Sequence, residues 1–126
     1  MRLVRPLTVV LAATLLAAAP ADPAQAVRVT AISYAQTQLH IGVAVLVEPV
    51  AIVDDYALAD WVAGVREGEV LLQRSSRGKW RVIDFDNSSF ADAHFLTVRF
   101  AVPPATAAAL VKGIRAAEKR QGSMPH

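Results

Sequence analysis

Between Ala44 and Asp86 the chain carries four segments rich in β-formers, each parted from the next by only a short turn, and this spacing limits the fold more than any other feature. Ala44 to Val53 (AVLVEPVAIV) is too rich in Val and Ile for a helix, and Pro49 would break one. It reads as a strand at a sheet edge, or with a bulge at the proline, where a missing N–H does no harm. Asp54-Asp55 supplies turn chemistry before a second strand, Tyr56 to Val62. Gly64 to Gly68 turns the chain into a third, Glu69 to Ser75, and Ser76-Arg77-Gly78-Lys79 reverses it into a fourth, Lys79 to Asp86. Parallel pairing needs a crossover of about a dozen residues or more, so the set is expected to be an antiparallel meander.

Helical signals flank the meander. From Arg28 to about His40, Val29, Ile32, Ala35 and Leu39 recur at spacings of three and four. After the sheet, Asn87-Ser88-Ser89 offers caps for a short helix through Phe90, Ala93 and Leu96. Pro103-Pro104 then opens a helix over Ala105 to Arg120, with Leu110, Ile114 and Ala117 on one stripe and Lys119 and Arg120 complementing its dipole. The expected fold is α+β: an N-terminal helix, a four-stranded antiparallel meander and two C-terminal helices packed on the sheet, an arrangement similar to cystatin-like folds. Strict alternation in the fourth strand puts Trp80, Val82, Asp84 and Asp86 on one face and Arg81, Ile83 and Phe85 on the other. Neither face is cleanly apolar, so parity leaves the core side open.

The N-terminus reads as an export signal. Arg2 and Arg5 precede an uncharged run, Leu7 to Ala19, and Pro20-Ala-Asp-Pro23 leads to Ala24-Gln25-Ala26, an A-x-A cleavage site. The apolar run of 13 residues falls short of the roughly 20 needed to span a bilayer. Residues 1–26 are therefore expected to be a signal peptide, 27–120 one domain and 121–126 a flexible tail, with no stable membrane anchor after cleavage. A second cut, after Ala21, is the poorer substrate because of Pro20. The expected location is periplasmic or secreted.

The whole chain has 13 basic and 11 acidic residues, and removing Arg2, Arg5 and Asp22 leaves 11 against 10, a formal charge of +1. The basic residues are scattered apart from Arg74, Arg77, Lys79 and Arg81, which suit a solvated hairpin turn; the basic stripe of a nucleic-acid binder is absent, so no nucleic-acid partner is expected. The chain has no cysteine, so no disulfide can staple the fold and no lipid can be attached at the cut.

VEPVAIVDDYALADWVAG, then GEVLLQR and GKWRVIDF, resemble the small exported bacterial proteins known as copper uptake system-associated, in which a V-E-P-V strand leads through an acidic turn to Y-A-x-A-x-W. Val102-Pro103-Pro104-Ala105-Thr106-Ala107-Ala108-Ala109-Leu110 matches the family's V-P-x-A-x-A-A-x-L helix. The resemblance spans most of the chain after the leader and implies a setting in copper uptake or handling, without naming ligands. In the family the fourth strand often runs into a cysteine; here Asp84-Phe85-Asp86-Asn87 stands there, so no thiol role carries over.

The imidazole and thioether side chains after the leader are His40, His94, Met124 and His126. His94, Met124 and His126 are the candidates for copper, which takes thioether ligands as copper(I) and imidazole as copper(II); Met124-Pro125-His126 is the local pair. An enzyme would need another constellation: Asp60, Asp84 and Asp86 share parity and could meet Tyr56 or His94 in a pocket under a curved sheet. Trp61 and Trp80 read as core anchors first and partner anchors second. Three functions stay open: an accessory binding protein of copper handling, an envelope protein–protein module without metal, and a small cystatin-like-fold enzyme using aspartates in a sheet pocket.

Overall fold

The computed structural model describes residues 22–40, 42–90 and 92–122. The first 21 residues of the expected leader, Met124 and His126 lie outside these. The elements run α1 (Pro23–Leu39), β1 (Leu46–Val53), β2 (Tyr56–Ala63), β3 (Arg66–Arg74), β4 (Trp80–Asp86), α2 (Ala93–Phe100) and α3 (Pro104–Gly122). The four strands form one antiparallel sheet in the order β1-β2-β3-β4, so the meander and the α+β arrangement stand as expected. Helices cover both faces: α1 packs across β1, β3 and β4, while α3, braced by α2, packs on β1 and β2.

Two bulges settle what parity left open. Leu72 pairs with Val82 and Leu71 with Asp84, so Ile83 is an extra residue in β4. That insertion switches the alternation mid-strand. Val82 and Phe85, expected on opposite faces, both pack toward α1, and Ile83 packs toward α3. In β1, Glu48 and the buried Pro49 together stand opposite Asp60, between the pairs Val47–Trp61 and Val50–Ala59. Pro49 thus sits both on an edge strand and in a bulge.

On the α1 side, Val27, Ala31 and Ala35 pack on Ala57, Ala59, Trp61, Val70 and Leu72. Of the expected stripe, Ala35 is buried and Ile32 and Leu39 pack half-buried against the same core, whereas Val29 faces outward, 56% exposed. Trp61 is fully buried and stacks on Phe85 at 4.4 Å. Its indole N–H donates to Asp86 O at 3.0 Å. Gly68, paired with Trp61, makes room for that carbonyl: a Cβ there would lie 1.8 Å from Asp86 O. On the other side Leu58 and Leu71 meet Phe90, Leu96, Val102, Leu110 and Ile114.

The helix ends show which caps the chain uses. Asp92, not Asn87-Ser88-Ser89, caps α2, its carboxylate accepting from Phe95 N–H at 2.7 Å. Asp22 caps α1 by accepting from Ala24 N–H, so this helix begins within the expected leader. A cut after Ala21 would keep that cap; a cut after Ala26 would remove it together with the first turn and leave the buried Val27 as the terminus. Among the described residues no helix is long and apolar enough to cross a membrane.

Candidate functional site: an acidic cleft beside the end of α3

Register brings the site together. Asp60 on β2 pairs with Glu69 on β3, so their side chains share the α3 face of the sheet. On α3, Glu118 follows Leu110 and Ile114 at intervals of four, which continues the buried stripe of that helix over the same face. The result is a trio of carboxyls with oxygens all within 4.8 Å of one another.

Two of the three have donors. Glu69 is 3% exposed and accepts from Phe90 N–H at 2.7 Å, from the Ser89 hydroxyl at 3.3 Å and from Arg115 Nη1 at 2.6 Å. Arg115 Nη1 also donates to Glu118, at 3.0 and 3.1 Å, and Nη2 donates to Ser89 Oγ at 2.6 Å. These bonds pin the chain leaving β4 to α3 and raise the Arg115 pKa, the Glu69 hydrogen bond being the largest cause. The Asp60 carboxyl hydrogen-bonds to its carboxyl neighbours Glu118 and Glu69 and to no basic group. Its Oδ1 is fully buried and has no hydrogen-bond partner. Burial, then the neighbouring Glu118 and Glu69, push the Asp60 carboxyl up from 3.8 to about 9. It is therefore protonated at neutral pH, and the guanidinium is spent on the other two groups.

Around this trio opens a cleft of about 570 Å³, a size that suits a small ligand or a side chain. Five carboxylic residues line it, Glu48, Asp60, Glu67, Glu69 and Glu118, against Arg115 as the basic residue. Five of the chain's 11 acidic residues thus meet at one place in a protein whose formal charge is +2. The C-terminal end of α3, the negative end of a helix dipole, lies beside them, with Gln121 in the lining.

Of the aspartates expected to converge, Asp60 alone lines this cleft. Asp86 pairs with Glu69 across the sheet, but its carboxylate accepts from Ser88 N–H and Oγ as a turn residue does. Asp84 pairs with Leu71, and the Tyr56 hydroxyl, at the far end of β2, accepts from Gln73. His94 is exposed on α2, and among the described residues the one group able to offer three metal ligands is Asp60, Glu69 and Glu118. Glu48, Glu67, Glu69, Arg115 and Glu118 were not anticipated. The signal was present: Glu69 shares parity with Leu71 in an apolar strand, and Glu118 lies four residues beyond Ile114.

Comparison with family models, with curated proteins and with solved structures returned no match.

Proposed function

We propose that this is an exported accessory protein that works by binding, and that the acidic cleft takes up a cationic group. The observation that carries the reading is Asp60 Oδ1, a buried acceptor without a donor in a cleft lined by five carboxylic residues. Arg115 already models what Glu69 and Glu118 accept, namely N–H donors with positive charge. An incoming ammonium or guanidinium would give Asp60 Oδ1 the donor it lacks and release the carboxyl's proton to solvent. The copper setting rests on the resemblance; carboxylate oxygens suit hard cations better than copper(I), so a copper role runs through a partner or through His94, Met124 and His126.

Titration of the purified protein with ethylammonium, magnesium and calcium, followed by NMR, tests the cleft. Shifts at Asp60, Glu67 and Glu118 that weaken with added salt are expected; no shift at millimolar cation would overturn it. Titration with copper in both oxidation states, with and without residues 121–126, tests the copper setting.

A second reading has one observation in its favour. A carboxyl held protonated near pH 7 is a proton donor, and Asp60 beside Glu118 has the form of an acid–base pair. A hydrolase or isomerase reading would gain from turnover that falls with a midpoint near that of Asp60.

A further inference from the structure

The cleft does not end at its carboxyls. Past Asp60 on the same strand face comes Val62, which lines the cleft and pairs with Leu46 on β1. These two large apolar side chains are 38% and 54% exposed, although they lie on the face that α3 covers at Leu58 and Leu71. Val65, at the following turn, is wholly exposed, and Val43 lies beside Gly64, whose added Cβ would sit 4.0 Å from Val43 Cγ2. α3 ends at Gly122, and its last inward residues, Glu118 and Gln121, belong to the cleft. An acidic cleft therefore borders an apolar shelf, with Asp60 and Val62 two residues apart on one strand, about 7 Å.

Resting on the cation-binding reading, we propose that the occupant is an extended segment of a partner protein carrying a basic residue and a large apolar residue two positions apart. The lysine or arginine enters among Asp60, Glu69 and Glu118, and the apolar side chain lies on Leu46 and Val62. The period of an extended chain matches that of β2, so alternate partner side chains fall on the cleft and the shelf together. Charge complementarity selects the basic group, because Glu48 and Glu67 add carboxylates at the border between cleft and shelf. A free polyamine would satisfy the carboxyls and leave the shelf in water.

The test uses the purified protein and five probes: acetyl-Ala-Leu-Ala-Lys-Ala-amide, its Leu→Ser form, its Lys→Gln form, an isomer with Leu and Lys adjacent, and ethylammonium. The first peptide should bind about fivefold to tenfold more tightly than the Leu→Ser and adjacent forms, as partial burial of a leucine implies. The Lys→Gln peptide should not bind. Leu46→Ser, a change at an exposed position, should erase the preference for leucine and leave ethylammonium binding as it was. Equal affinity of the Leu and Ser peptides, or ethylammonium binding with no peptide binding, overturns the partner segment and leaves the cation site standing. Failure of every probe, ethylammonium included, overturns both.

Discussion

On the α1 side of the sheet the buried stripe is apolar from end to end: Ala57, Ala59, Trp61 and Ala63 along β2 are all buried, as are Val70 and Leu72 on β3. On the α3 side the same strands begin alike and then change. Leu58 gives way to Asp60, and Leu71 to Glu69, at the level where α3 passes from Ile114 to Glu118. Both layers switch from hydrocarbon to carboxyl together. A single misplaced acid would be a packing fault, but a coordinated change in three elements leaves a cleft with its own charge, held in shape by the sheet behind it. The closed face stabilises, and the open one is where a ligand can be met.

If that division is right, mutations on the two faces should differ in kind. The largest loss is expected on the closed side: Trp61→Ala removes a fully buried ring stacked on Phe85 and should cost roughly 3 to 5 kcal/mol in chemical denaturation. A loss under about 1 kcal/mol would mean that Trp61 is not part of the core. On the open side Glu69→Ala should cost less, roughly 1 to 3 kcal/mol, because it strands Phe90 N–H while the partly exposed Arg115 can turn to water. It should also loosen residues 88–90, read by amide hydrogen exchange; unchanged protection there would separate Glu69 from the cleft's shape.

A third difference depends on pH. The folded Asp60 holds its proton to about pH 9, whereas an unfolded aspartate loses it near 3.8, so between these values the native state binds more protons. Stability should therefore fall as pH rises across that window and level off above it. Asp60→Asn, neutral at every pH, should flatten the slope between pH 5 and 9. A melting temperature with the same pH slope in both proteins would show that Asp60 is not the group responsible.

The strand order and the place of each reversal were legible because Asp54-Asp55, Gly64 and Gly78 mark turns by local chemistry, but the second turn is Gly64-Val65 alone, and Arg66 to Gly68, expected in it, belong to β3. The faces were not legible, because a bulge at Ile83 is a matter of register between strands and leaves no mark in alternation. The start of α1 was hidden by a leader-like composition, although Asp22-Pro23 is an ordinary cap and first-turn pair. The cleft was half legible. Asp60 could be singled out as an acid on a strand, but its partners Glu69, Arg115 and Glu118 lie 9, 55 and 58 positions away in the chain, and only the β2–β3 register and the docking of α3 bring them together.

On this proposal Asp60 is a half-buried carboxyl that stays neutral until a cation replaces its proton. NMR titration of the Asp60 side-chain carboxyl, alone and with saturating ethylammonium, addresses it directly. A midpoint near 9 is expected for the free protein and a lower one with the cation bound. An ordinary midpoint near 4 in the free protein, or one that the cation leaves unmoved, would contradict the proposal.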